Sequence, residues 1–260
     1  MHNTNQEWLY TLKQIAQYGE LANPRGRDCH EILQHKTVVD MNNPILTIPE
    51  RELGYKFMAA EAAWILSGDN RVSTIAPYSK MIKRFSDDGI TYHGAYGPKI
   101  RDQIHYVART LIQDNSSRQA VINIWRENPP ETKDVPCTLS LQFVIRNGYL
   151  HCFDTMRSSD IWLGWPYDVF NMSMVSRYLI AYMKQIGATV PQLGKLYLTA
   201  GSQHLYAAQA DQAAKILSKY GVAEHDRDTD WFLPSSSFTP DQLVDWLWEV
   251  AEHGTLTTGD

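Results

Sequence analysis

Cys137, Arg157 and Asp168 are residues of this 260-residue chain whose types could do chemistry together. A thiolate attacks electron-poor ring carbons. An arginine presents a planar fork of donors that matches the oxygens of a phosphate. A carboxyl shielded from water can accept a hydrogen bond or, once protonated, donate one. Cys137 follows a proline, Arg157 opens the run Arg157-Ser158-Ser159-Asp160, and Asp168 stands where strand-like sequence gives way to helical sequence. Brought together, these groups could attack a ring, bind an anion and read a base. A neighbouring arginine such as Arg157 would also lower the thiol's pKa.

Two strand-like runs position them. Thr138–Arg146 and Tyr149–Met156 alternate in polarity and are joined by Asn147-Gly148, a strong hairpin signal. The hairpin sets Cys137 at the start of its first strand and Arg157–Asp160 just past the end of its second. Asp168 opens the apolar stretch Val169–Ile186, read as a core helix beneath the sheet. Asp168 could instead simply cap that helix.

The remaining elements follow from periodicity and turn chemistry. Residues 5–18, Ile100–Gln113, Ala207–Tyr220 and Pro240–His253 read as helices, and Lys36–Asp40, Ile45–Ile48 and Gly194–Ser202 as strands. Pro49–Leu66 reads as one helix, with Glu52 in its first turn and Gly68 past its end. Glu61 sits on it among Ala60, Ala62, Ala63 and Trp64, so it is either a surface glutamate or a carboxylate set in an apolar face. Ser116–Trp125 reads as a buried strand entered through Arg118. Asn23–Asp28 is a polar loop with two arginines, Arg25 and Arg27, either a solvated turn or a phosphate-closing loop; both arginines fit.

Composition bounds the rest. A chain 43% hydrophobic can bury a sizeable core, and a net charge of −5 gives no general reason to expect nucleic-acid or membrane binding. No apolar run reaches membrane-spanning length, and the N-terminus does not read as a signal peptide. Cys29, Cys137 and Cys152 lack zinc or CxxC spacing, so no metal and a reduced, cytoplasmic protein are expected. Residues 1–260 show no repeat or linker and are read as a single α+β domain.

The order and spacing of Pro136-Cys137, Gln142-Phe143, Arg157-Ser158-x-Asp160, Leu163-Gly164-x-Pro166 and Gly201-x-x-His204-x-Tyr206 resemble the thymidylate synthase superfamily, from about Arg25 to about Tyr206. The resemblance implies a mixed sheet with packed helices, paired back to back in a homodimer. It assigns Cys137 as nucleophile and Glu61, in the pattern Glu61-x-x-Trp64-x-Leu66-x-Gly68-Asp69, as the carboxylate that assists proton transfer. Tyr96, of the pair Tyr96-Gly97, would lie near the thiol. Arg25 or Arg27, Arg157 and Ser158 would hold the nucleotide phosphate, and Arg118 would reach the other subunit's phosphate. Gln142, Ser159, Asp160, His204 and Tyr206 would complete the nucleotide site. Trp64, Asp160 and Gly164 would face the co-substrate, 5,10-methylenetetrahydrofolate. Gln119 replaces the second of the family's paired arginines, which weakens the phosphate clamp, and the C-terminal sequence lacks the family's apolar closing segment.

The closest likeness is to the deoxycytidylate hydroxymethylase branch. Tyr78–Asp88 contains no tryptophan, Cys137 is followed by Thr138, and Asp168 replaces the asparagine of uracil-specific members. These features imply water capture of a C5 methylene on a cytidine monophosphate, with dCMP favoured over CMP. The alternatives are C5 methylation of dCMP or dUMP, or a catalytically silent pyrimidine-nucleotide-binding protein.

Overall fold

The computed structural model describes residues 3–221 and 233–254. Six strands form one mixed sheet in the order β1 (Glu20–Ala22), β2 (Cys29–Asp40), β6 (Gln192–Tyr206), β5 (Tyr149–Asp160), β4 (Thr138–Arg146) and β3 (Val121–Asn123). All neighbours are antiparallel except β5 and β6. That parallel pair is joined through the helix α5 (Trp165–Gln185), as a parallel pair requires a crossover. The described residues also form α1 (Thr4–Tyr18), α2 (Tyr55–Leu66), α3 (Val72–Ile75), α4 (Tyr96–Gln113), α6 (Ala207–Tyr220) and α7 (Pro240–His253).

Local sequence explains the main boundaries. Asn147 and Gly148 take φ of 53° and 80°, the left-handed pair of a tight hairpin, and fix the β4–β5 register at Arg146 opposite Tyr149. α1 starts in a capping box, Asn3 accepting from the Gln6 amide while the Gln6 side chain accepts from the Asn3 amide. Along β5, Leu150, Cys152, Asp154 and Met156 are buried, a period-two row facing the core.

Several expected elements differ. Ile45–Ile48 is buried but forms no strand, its apolar side chains filling the core without a partner ladder. The stretch expected as one helix from Pro49 to Leu66 breaks. Pro49–Arg51 is a 3-10 turn, Glu52 is left-handed at φ 49°, and the α-helix starts only at Tyr55. Glu52 therefore does not sit in the helix's first turn. Only Val121–Asn123 of the expected Ser116–Trp125 strand is regular, although the Ala120 carbonyl and the Ile124 and Trp125 amides also bond to the β4 backbone. β5 and β6 run longer than periodicity indicated, to Asp160 and Tyr206, carrying polar residues out of the core to the sheet's end. α5 begins four residues before Val169, with Pro166 in its first turn.

α2 is buried over eight of its residues and packs against α7, α5 and α4. Gly97, in the first turn of α4, makes the close approach possible. A Cβ there would lie 2.9 Å from the carbonyl oxygens of both Ile65 and Asp69. Alanine is otherwise the better helix former by about 1 kcal/mol. The clash is with backbone, so Gly97→Ala should destabilise by about 1–3 kcal/mol in urea unfolding. Stability equal to or above wild type would refute this packing.

Candidate active site

The ends of β5 and β6, the start of β4 and the first turn of α5 converge on a cleft of about 480 Å³. Cys137, Arg157, Ser158, Ser159, Asp160, Gly164, Asp168, His204, Tyr206, Glu61, Arg25 and Arg27 all line it. A second hollow of about 470 Å³ shares Arg25, Arg157, Ser158, His204 and Tyr206 and adds Glu31, Ser202 and Trp125.

The thiol is held by its backbone. The amides of Cys137 and Thr138 donate to the Tyr96 hydroxyl at 3.2 and 3.1 Å, and the Arg157 amide donates to the Cys137 carbonyl at 2.9 Å. The Arg157 side chain locks the same loop: Nε donates to the Pro136 carbonyl at 2.9 Å and Nη2 to that of Val135 at 3.0 Å. Nη2 lies 3.7 Å from the Cys137 sulfur and Nη1 donates to Ser158 Oγ at 3.1 Å. Ser158 Oγ is itself 3.8 Å from the sulfur. Arg157 is thus first a brace for the loop that carries Cys137, with its Nη1 edge beside Ser158.

The expected acidification of the thiol is not what the structure gives. Burial pushes the Cys137 thiol up, and Asp168 adds to that; Arg157, Ser158 and Arg25 pull it back without reversing it. Burial likewise raises Tyr96 well above an ordinary phenol, with Cys137 and Asp168 contributing.

Three carboxyls sit under the cleft. Glu61 accepts from Asn171 Nδ2 at 2.8 Å, and burial raises it to about 7. Asp168 is raised well above the usual carboxylate range by burial, then by Asp154, Glu61 and Asp160. The third, Asp154, is 1% exposed and raised by burial to about 7. Asp168 is no cap: the N-cap of α5 is Gly164, and Asp168 lies one turn inside, its amide donating to the Gly164 carbonyl at 3.0 Å. A Cβ on Gly164 would lie 3.2 Å from Asp168 Oδ2, so the glycine makes room for this carboxyl.

At the other wall, Asp160 Oδ1 accepts from the Trp162 and Leu163 amides, both at 2.9 Å. Burial raises Asp160 and lowers His204, which packs edge-on to Tyr206 at 5.0 Å. The Arg27 guanidinium lies over the Tyr206 ring at 3.8 Å, whereas Arg25, at φ 56°, reaches toward the thiol. Ser159 is fixed by Gln203, whose Nε2 donates to its carbonyl at 3.0 Å.

Other sequence-predicted residues do not reach the cleft. Gln142 turns to the neighbouring strand, Nε2 donating to the Arg118 carbonyl at 2.8 Å, and neither residue lines the cleft. Trp64 is buried edge-on to Tyr92 at 5.6 Å, with no cleft exposure. Tyr96 acts through the nucleophile's backbone.

Sequence reasoning missed Arg51, Phe57, Met81, Ile82, Phe85 and Tyr167, which form the cleft's apolar and aromatic wall. Met81 and Phe85 are exposed there, in a run whose only aromatic residues are Tyr78 and Phe85. Arg51 is buried, its Nε and Nη2 donating to the Trp162 carbonyl at 2.9 and 2.6 Å. Asp154 was also missed, although an ionisable residue on the apolar face of a strand was visible as Leu150-x-Cys152-x-Asp154-x-Met156.

A mixed sheet thus brings a cysteine, an arginine-serine pair and buried carboxyls to one cleft of an α+β scaffold. The chain belongs to the thymidylate synthase family, matching it over residues 6–225. It is similar to a deoxyuridylate hydroxymethyltransferase of Bacillus phage SP01, 31% identical over 245 residues, covering 84% of this chain and 61% of that protein. A deoxyuridylate hydroxymethyltransferase of Pseudomonas phage M6 is 31% identical over 145 residues, covering 52% of this chain and 41% of that protein. The chain therefore spans less than two thirds of the length of these relatives. None of the described helices is long and apolar enough to cross a membrane, and no described group of three His, Cys, Asp or Glu could hold a metal ion.

The carboxyl Glu61 generates a stability prediction. Its pKa is 4.5 in the unfolded chain and about 7 in the fold, so folding favours its protonated form. Its contribution is fully present below about 4.5 and is lost as pH rises through about 7. The urea midpoint should fall as pH rises across that window, and Glu61→Gln should flatten the slope. An identical slope in the variant would show that Glu61 ionises normally.

Proposed function

We propose that the chain is a transferase that hydroxymethylates C5 of a pyrimidine nucleoside monophosphate, with dCMP the favoured substrate. The observation that carries the reading is Cys137 braced between Arg157 and Ser158, in a cleft whose base-facing wall is the buried Asp168.

The Cys137 sulfur adds to C6 of the base, giving up its proton and turning C5 into a nucleophilic carbon. Methylenetetrahydrofolate supplies the one-carbon unit as co-substrate. Met81, Ile82, Phe85 and Phe57 offer a flat ring an apolar wall, so the cleft fits such a partner. C5 takes the methylene while it is still bonded to folate; loss of the C5 proton then breaks that carbon–nitrogen bond, expelling tetrahydrofolate and leaving an exocyclic methylene, with Glu61 and Tyr96 as the groups positioned to handle protons. Water then adds to the exocyclic methylene as the sulfur–C6 bond breaks, leaving hydroxymethylated nucleotide and tetrahydrofolate. Arg25 and the Nη1 edge of Arg157 with Ser158 take the phosphate; Arg27 packs on Tyr206 at the sugar side with His204. Asp160, its Oδ1 pinned by two amides, and Gly164 border the folate side.

The whole of 1–260 works as one catalytic unit and pairs as a homodimer. The sheet face opposite the core row supports pairing, since it carries Phe153 stacked on Tyr197 at 4.9 Å, both only half-buried. In that dimer Arg118, away from its own cleft, reaches the other subunit's phosphate.

Asp168 favours cytosine. Cytosine presents an N4 amino donor and an N3 acceptor, which a protonated carboxyl matches by accepting and donating. The second reading, dUMP, is favoured by the names of the two phage relatives.

Incubation with dCMP, CMP or dUMP and methylenetetrahydrofolate, with products identified by mass, tests the activity. A hydroxymethyl product with tetrahydrofolate is expected, and Cys137→Ser should reduce it to background while leaving nucleotide binding in place. Dihydrofolate formed in step with product would mean methylation instead. Turnover near wild type in Cys137→Ser would remove that thiol from the reaction.

Base choice is tested separately. Asp168→Asn should shift relative activity from dCMP toward dUMP by about tenfold or more, since a mismatched buried hydrogen-bonding group costs about 1–3 kcal/mol. An unchanged dCMP-to-dUMP ratio would sink the cytosine reading.

A further inference from the structure

A further cavity, of about 710 Å³, shares none of the lining residues of the cleft. Its walls come from the end of β2, the starts of β5 and β6, the C-terminal half of α5 and the chain entering α7. The cleft uses the opposite ends of β5 and β6, so the two hollows stand at opposite ends of the sheet.

Four α5 residues, Arg177, Ile180, Ala181 and Lys184, line this cavity. Their i, i+3, i+4, i+7 spacing places them on one face of the helix. One stripe therefore presents two cations, Arg177 nearer the helix centre and Lys184 exposed in its last turn, with apolar side chains between them. Leu193 and Phe238 extend the apolar wall. A cavity of this size, largely apolar with a few convergent polar groups, is the ordinary form of a small-molecule site.

Arg177 is the group that the fold leaves unanswered. It is half-buried, and its Nε is shut from water without a hydrogen-bond partner. Among the described residues it closes no hydrogen bond and no ion pair. The neighbouring acid Asp40 does not neutralise it by contact. Asp40 Oδ1 instead accepts from the amide and the Nδ2 of Asn42, both at 2.9 Å. Arg51, the other arginine drawn well into the protein, donates twice to a carbonyl. Holding a cation away from water with no acceptor costs stability. A guanidinium fork matches the oxygens of a carboxylate or phosphate, and such a ligand would supply the acceptors that Arg177 lacks.

We propose that this cavity is a second binding site, for a small organic anion. Arg177 and Lys184 hold its oxyanion head, a carboxylate or a phosphate, and Ile180, Ala181, Leu193 and Phe238 pack on its apolar or aromatic body. Nothing in this assignment depends on the chemistry at Cys137.

The test is a calorimetric titration of the full chain with phenylacetate, phenyl phosphate, inorganic phosphate and uncharged benzyl alcohol, each to about 10 mM. Arg177→Met keeps an apolar stem and removes the fork. At least one aromatic anion should bind wild type and lose about tenfold or more in affinity for Arg177→Met, as a charge-assisted hydrogen bond is lost. The tighter of the two identifies the head group. Benzyl alcohol should not distinguish the two proteins, and inorganic phosphate should bind more weakly than the tighter aromatic anion. Ala181→Met keeps every charge and fills the space between the cations, so it should also weaken the anion. Arg25→Ala removes a cation from the cleft and should leave this binding unchanged. In the absence of ligand, Arg177→Met should withstand urea as well as wild type or better, since no protein partner is lost. Failure of both aromatic anions to bind overturns the proposal, as does unchanged affinity in Arg177→Met or in Ala181→Met. Affinity lost in Arg25→Ala would place the anion in the cleft and overturn it equally. Inorganic phosphate binding as tightly as the aromatic anions would remove the apolar body and with it the site as proposed. An Arg177→Met chain that unfolds more readily, or does not fold, would show the guanidinium already paired within the fold, and that too overturns it.

Discussion

The floor of the cleft keeps acids away from water without placing a cation on each. Glu61, Asp154 and Asp168 are all raised chiefly by burial, and the thiol of Cys137 and the phenol of Tyr96 follow the same rule. Removing an acid from water costs the charged form, so each group rests protonated unless a positive or hydrogen-bonding neighbour intervenes. The chemical consequence is that Glu61 and Asp154 are poised at about 7, while Asp168, Cys137 and Tyr96 are held toward their neutral forms rather than as fixed charges. General acid–base work is most effective in that range.

The scaffold exists to keep that floor closed. β5 and β6 run parallel because α5 crosses over between them, and α5 then covers the row Cys152, Asp154 and Met156. α2 closes the other side with a nearly continuous buried surface and contributes Glu61 from its middle. Rigidity at the rim comes from backbone. Tyr96 and Arg157 bind the amides and carbonyls flanking Cys137 and leave the sulfur's direction fixed by main chain. The Arg25 side is built differently, from an exposed loop with two left-handed residues, Arg25 and Gly26.

Much of this was legible in the sequence where a residue type answers to one local demand. Asn147-Gly148 announced the hairpin because a two-residue turn between strands needs both residues left-handed, which asparagine and glycine tolerate, and the hairpin brings Cys137 beside Arg157. Illegible parts depended on tertiary context. Pro49–Leu66 has an unbroken helical pattern, yet it turns at Glu52 because Arg51 is drawn inward to the Trp162 carbonyl, a partner 111 residues away. Ile45–Ile48 has strand composition but no strand to pair with. Gln142 sits in a family motif, yet in this chain its amide donates to the Arg118 carbonyl, just before the edge strand β3.

The thiol shows why motif and microenvironment must be read separately. From sequence, an arginine twenty residues from a cysteine across a hairpin reads as an activator. In space it is adjacent, at 3.7 Å, and still does not prevail, because burial of the thiol outweighs it and Asp168 adds to the burial. A thiol that stays protonated until a ring arrives is protected from oxidation and from stray electrophiles. Burial and Asp168 act on it in one direction and Arg157, Ser158 and Arg25 in the other, so the sulfur's protonation is set by its surroundings and not by the hairpin motif.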